Sequence, residues 1–149
     1  MRSLEWNQID LGRVVFAGLV SGYVMAIVGL WSGRIAGLIS VDIADMGRRY
    51  IVSDRSSAWF FCLASHLVNS VLLVFVWAKV IAPNLPVSFY GSAVIWGLAL
   101  CLVLANGLVA PMSGMGIMGH KTGDHRFALT NIILHIVWGA TIGFLYTPL

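Results

Sequence analysis

The sequence predicts an all-α, polytopic membrane protein in which four transmembrane helices form one bundle, and three observations lead there. Apolar residues make up 59% of the 149-residue chain and charged residues 10%, against about 45–50% and about 25% in soluble domains. Four apolar runs are each long enough for the roughly 20 helical residues that a hydrocarbon core of about 30 Å requires. Three of these runs stop at a proline, which cannot continue a helix. A mean hydropathy of +0.90 leaves too little polar surface to cover a soluble monomer of this size, whereas lipid accepts the same apolar surface without penalty. The chain therefore reads as a single transmembrane domain over 1–149.

The first helix is expected over 14–41, a run broken only by Ser, Gly and Arg34. The segment before it carries Arg2, Glu5, Asp10 and Arg13, and no small-residue cleavage site ends the run, so it reads as a retained span rather than a signal peptide. Two ladders of small residues at i, i+4 lie along it: Gly18, Gly22 and Ala26, then Gly29, Gly33 and Gly37. In a membrane helix that spacing lets another backbone approach closely. The partner is either another helix of this chain or a second subunit. Arg34 is costly at depth unless it snorkels to the surface or pairs with an acid, for which Asp42 and Asp45 of the following connector are the candidates. A helix cut short near Ile35 puts it at the interface instead.

The second helix is expected over 58–82, stopped by Pro83, the third over 88–110, stopped by Pro111, and the fourth over 127–147, stopped by Pro148. Trp6, Trp31, Trp59, Trp77, Trp96 and Tyr146 mostly fall near expected ends, as interfacial aromatics do, with Trp31, Trp96 and Trp138 deeper. Arg2, Arg13 and Lys79 accompany the termini and second loop, against Arg48, Arg49, Arg55, Lys121 and Arg126 in the first and third loops. The bias sets both termini outside and those two loops in the cytoplasm. Cys62 and Cys101 lie inside apolar runs without a CxxC partner and read as small buried hydrophobes. The net charge of +3 is scattered, so no nucleic-acid surface is expected.

Set against itself at an offset of 69, the chain aligns Gly22 with Gly91, Met46-Gly47 with Met115-Gly116, His66 with His135 and Phe75 with Phe144. The common order is a small-residue helix, a Met-Gly loop, then a helix with His near its start. That order reads as two parallel two-helix repeats about an axis along the membrane normal. His66, Asn69 and Ser70 share one helix face, as do Asn131 and His135. Polar side chains in hydrocarbon turn toward the bundle and find partners. Interhelical hydrogen bonding of His66 with Asn131, Asn106 or a backbone carbonyl accounts for these residues. Ligation of b-type haem or a metal by His66 and His135 is the alternative.

The segment PMSGMGIMGHKTGDH places Met112, Met115 and Met118 three apart, followed by His120 and His125. Thioether and imidazole suit copper, while glycines at 114, 116 and 119 make a regular helix doubtful and Met also fills gaps at helix ends. No GxxxxGK[ST], HExxH or GxSxG and no run of intramembrane carboxylates occurs, so catalysis by this chain alone is not expected.

In GLVSGYVMAIVGL, in Pro-Met-x-Gly-Met-Gly at 111–116 and in LHIVWGATIGFLY, the chain resembles an uncharacterised family of small bacterial four-helix integral membrane proteins carrying a domain of unknown function. The resemblance covers nearly the whole length. His135-Ile136-Val137-Trp138-Gly139 fits its pattern, whereas Ser70 stands where a glycine would follow His66-Leu67-Val68-Asn69. It implies four helices and a multi-pass place in the bacterial inner membrane, and it transfers no catalytic residue. The expected function is a small structural or accessory subunit of a larger membrane complex, in contact with other subunits or a second copy. A haem or copper protein and a small transporter using Asn69, Asn106 and Asn131 are the alternatives.

Overall fold

The computed structural model describes residues 9–146; Arg2, Glu5 and Trp6 at one end, and Thr147 and Pro148 at the other, lie outside the described residues. Helix α1 spans Leu11–Trp31. Asp10 caps its N-terminus, accepting from the Arg13 amide at 3.0 Å and pairing with the Arg13 guanidinium at 3.2 Å. A 3₁₀ turn, Ser32–Arg34, continues it. The helix thus ends several residues before 41. Ser32 Oγ lies within hydrogen-bonding reach of both the Gly29 and Ile39 carbonyls and shares its one proton between them, Gly37 takes φ +85°, and residues 35–42 fold back so that the Val41 amide donates to the Gly29 carbonyl at 2.8 Å.

Within the connector that follows the first helix, a short helix, α2, spans Ile43–Tyr50. Asp42 caps it, accepting from the Asp45 amide at 3.0 Å, and Arg48 and Arg49 occupy its last turn, complementing the helix dipole. It packs on α3, with Gly47 against Cys62. Helix α3 spans Ser56–Val76 and runs on through a π-helical segment, Trp77–Ile81, and a 3₁₀ turn, Ala82–Asn84, that contains Pro83.

Helix α4, Phe89–Leu100, is capped by Ser88 and continues through a nine-residue π-helical stretch, Cys101–Val109, into a single turn, α5, Ala110–Met112. Its buried stripe records the change of winding. Ala93, Gly97 and Cys101 follow at steps of four, the next buried residue is Asn106, five on, and Ala110 resumes the step of four. The loop beyond turns through positive φ at Gly114, Gly116, Met118, Gly119 and Gly123. Helix α6 then spans Arg126–Leu145.

Four segments are long and apolar enough to cross a membrane: Leu11–Arg34, Ser56–Asn84, Phe89–Met112 and Arg126–Leu145. The protein is an all-α four-helix bundle of multi-pass type. The helices follow one another around it as α3, α1, α6 and α4. Close approach along these seams rests on glycine. A Cβ on Gly18 would meet the Val71 backbone at 2.5 Å, and one on Gly139 the Ala93 carbonyl oxygen at 2.5 Å.

The remaining seam, between α3 and α4, is closed at one end only. There Trp77, fully buried rather than interfacial, stands edge-on to Phe89 and Tyr146, with centroids 5.5 Å away in each case. Its indole nitrogen donates to Ser92 Oγ at 3.0 Å. Toward the α2 end α3 diverges from α4, and only 17% of an apolar 18-residue stretch of its span is buried, the smallest such share of the four. Each half related by the offset of 69 is a helical hairpin. Met46-Gly47, however, stands in α2, and Met115-Gly116 in an irregular turn.

Candidate functional site

Divergence of α3 from α4 leaves a chamber of about 350 Å³ inside the bundle, roofed by Val41 and α2. His66 comes to it from α3, about a third of the way along that span, and His135 from the middle of α6. Ser65 and Asn69 of α3 and Leu104 and Ala105 of the π-helical stretch flank the open seam. Ser65, Asn69 and Leu104 are exposed there, so the chamber has a lateral opening at membrane depth.

The two imidazoles are oriented by backbone. His66 Nε2 lies 3.2 Å from the Gly22 carbonyl oxygen, and His135 Nδ1 lies 2.9 Å from that of Asn131. A carbonyl can only accept, so each of these nitrogens carries the proton. In the neutral ring the other nitrogen, Nδ1 of His66 and Nε2 of His135, keeps its lone pair. The backbone-carbonyl partner expected as one option for His66 is the one observed.

Behind the histidines lies a hydrogen-bonded polar layer. Trp138 Nε1 donates to Ser70 Oγ at 2.7 Å and Ser70 Oγ to the Gly18 carbonyl at 2.7 Å, joining α6, α3 and α1. Asn131 Nδ2 donates to Asn106 Oδ1 at 2.9 Å, and Asn106 Nδ2 reaches Cys101 Sγ at 3.3 Å across the five-residue step of the π-helix. Asn106 and Asn131 are thus spent on each other, while Asn69 is exposed at the opening. Only apolar and uncharged polar residues line the chamber besides the histidines.

The other residues singled out by sequence are not brought together there. Arg34 stands at the exposed end of α1, its guanidinium 3.8 Å over the Trp31 ring, which places it at the helix terminus and not in an internal pair with Asp42 or Asp45. Asp42 instead accepts from Trp59 Nε1 at 2.9 Å, and Asp45 pairs with Arg48 and with Arg49 at 3.4 Å. The hydrogen bond from Arg48 holds the Asp45 carboxyl below the ordinary range. Met115 is buried with Ala110 and Phe127, whereas Met112 and Met118 are exposed on either side of it. His120 bonds to the Ile117 carbonyl at 3.2 Å, and His125 precedes α6. Among the described residues no group of three or more His, Cys, Asp or Glu is placed to hold a metal.

The small-residue ladders divide by task. Gly18 and Gly22 pack on Val71 and Ser70 of α3, and Ala26 is buried. Gly29 and Gly33 instead seat the returning chain at Val41 and Ser40, and Gly37 is a turn residue with open space around it. The ladder is consumed within the chain. Gly97, Gly139 and Gly143, which close the α4–α6 seam, escape a reading centred on the first helix, although Gly139-x-x-x-Gly143 carries the same spacing.

A second hollow of about 550 Å³ lies among the loops, lined by Asp42, Asp45, Arg49, Lys121 and Asp124. Arg126 pairs with Asp124 at 2.6 Å and holds its carboxyl down to about 2. Compared with known proteins, the chain matches no family model, no curated protein and no solved structure.

Proposed function

We propose that this chain is a multi-pass protein of a bacterial inner membrane that binds a small molecule in its intramembrane chamber and admits it sideways from the bilayer. The observation that carries this reading is the pair of inward-facing histidines on α3 and α6 at a seam open toward lipid. A chamber of about 350 Å³ falls within the range of about 300–1,000 Å³ usual for small-molecule sites, and its mainly apolar wall with a few polar groups follows their pattern. Polar side chains exposed at membrane depth, such as Asn69, are costly without a partner. A ligand supplies one.

Haem fits this arrangement poorly. The bond to Gly22 leaves His66 with Nδ1, the nitrogen beside Cβ, where a porphyrin face meets the residue's own helix. The accessory-subunit reading is favoured by a different observation, the small buried share of α3, whose exposed face offers a partner helix a surface. The small-residue ladder no longer supports it, because its contacts are internal.

The test is native mass spectrometry of the full chain released from detergent, beside Ala105→Phe, which fills the chamber from its wall. A stoichiometric small molecule on the wild type, lost from a folded Ala105→Phe variant, is expected. Protein free of any such molecule, or an adduct that Ala105→Phe retains, would overturn the reading.

A further inference from the structure

The chamber also indicates which small molecule it takes. We infer that it recognises an uncharged aromatic hydroxyl compound with an alkyl tail, of the alkyl-hydroquinone type, held between His66 and His135; this rests on the chamber being a ligand site.

Each histidine donates one ring N–H to a backbone carbonyl, at 3.2 Å for His66 and 2.9 Å for His135, which leaves each with a lone pair to offer. Besides Ser65 and Asn69 at its opening, the chamber is thus lined by two imidazoles that each keep an acceptor nitrogen, one on α3 and one on α6. Its natural complement is a molecule with hydroxyl donors. A ring with a hydroxyl on opposite sides carries a donor for each acceptor, where a fatty alcohol carries one.

Charge argues next. No Asp, Glu, Lys or Arg lines the chamber, so neither an anion nor a cation finds a counter-charge there. An ion left unpaired at that depth carries a large desolvation penalty. The ligand is neutral. Apolar side chains such as Leu73, Leu100 and Leu104, with the indole of Trp138, form the remaining wall and suit a flat ring. The opening between Asn69 and Leu104 faces lipid, so an alkyl tail can stay in the bilayer while the ring enters. Binding alone is inferred here, with no electron transfer.

The strongest competitor is a soft metal ion. Met25, Met46 and Cys62 also line the chamber, and sulfur with imidazole suits Cu(I). A bare ion, however, leaves most of a chamber of about 350 Å³ unfilled.

The experiment is an anaerobic titration of delipidated full-length protein in micelles, read by quenching of tryptophan fluorescence. The probes are a short-chain alkyl hydroquinone, its dimethyl ether and Cu(I). Saturable hydroquinone binding is expected, with the ether weaker by at least about tenfold because it has lost both donors. His135→Leu and His66→Leu each weaken hydroquinone about three- to tenfold and leave the ether unchanged. The ether comparison uses wild-type protein alone, so it stands even if a variant fails to fold. Equal binding of hydroquinone and ether would overturn the inference and leave a chamber filled by apolar contact. Cu(I) binding lost in both histidine variants, with no hydroquinone binding, would replace it with a metal site. Failure of every probe, while native mass spectrometry still shows a bound molecule, would overturn the ligand class and spare the chamber. Failure of both experiments would remove both.

Discussion

Gly18→Ala is the sharpest probe of how the bundle is held, because the added methyl has nowhere to go. Its Cβ would stand 2.5 Å from Cα and 3.0 Å from N of Val71, both backbone atoms, so no rotamer change relieves the clash. Ordinary carbon contact begins near about 3.5 Å, so α1 and α3 must part by about 1 Å. The same movement carries Ser70 Oγ from its present 2.7 Å out of reach of the Gly18 carbonyl and loosens the layer that holds Trp138. Overpacking costs about 1–3 kcal/mol, and an intramembrane hydrogen bond contributes about 0.6 and up to about 1.7 kcal/mol. Replacing Gly by Ala in a helix returns up to about 1 kcal/mol. The net expectation is a loss of about 2 kcal/mol, roughly thirtyfold in the unfolding equilibrium. It is measured by titrating a denaturing detergent into mixed micelles and following tryptophan fluorescence. In the Gly18→Ala background, Ser70→Ala should cost less than it does alone, because both act on one seam. A Gly18→Ala protein within about 0.5 kcal/mol of wild type would refute the packing argument.

Three further outcomes are expected. Ser92→Ala leaves the buried Trp77 indole N–H without its acceptor and should cost about 1–3 kcal/mol in the same titration, with a changed near-ultraviolet dichroism of Trp77. Asp124 has a folded pKa of about 2, below its unfolded value of about 3.9, so its contribution is present above the unfolded value and is lost as pH falls through about 2. Arg126→Gln should raise the Asp124 titration toward the ordinary carboxylate range without fully restoring it, because the backbone amide of residue 126 still donates to the carboxylate, and the change is read by carboxyl-carbon NMR. The Arg-rich end of the bundle should face the cytoplasm, so an impermeant maleimide on intact cells should label Asn84→Cys and reach Thr122→Cys only after permeabilisation. The reverse labelling would invert the topology.

The four spans were legible because hydropathy over some twenty residues is an integral that local irregularity hardly moves. The end of α1 was not. Ile35, Leu38 and Val41 are as apolar in an extended chain folded against Gly29 as they would be in a helix, and composition cannot separate the two. The third rung of the second ladder, Gly37, consequently proves to be a turn residue. Helix α2 was legible in principle from Asp42 as a cap, Asp45 in the first turn and Arg48 and Arg49 in the last, but eight residues carry little periodicity. Trp77 was read as interfacial from its place near the end of a run, yet it follows Ser70 and Val74 at helical spacing on the buried face of α3 and points wholly inward. The inward direction of His66 and His135 was readable from the cost of polar groups in hydrocarbon, whereas the chamber between them depends on how far α3 diverges, a property of no single residue. The regular spacing of Met112, Met115 and Met118 pointed to a common face only if the segment stayed helical, and positive φ at Gly114 and Gly116 breaks that premise.

The π-helical stretch that follows α4 also bears on how this chain tolerates change in length. Between Cys101 and Asn106 the buried stripe uses five residues where an α-helix would use four. A deletion of one residue there can rewind into α geometry and keep the span continuous, whereas the same deletion in the regular winding of Phe89–Leu100 would rotate everything beyond it by about 100°. The surplus residue is therefore a reserve of register. Single-residue deletions in variants of this protein should collect in Leu102–Ala105, where the buried face of the Phe89–Met112 span can close up by one residue without turning Asn106 away from Asn131.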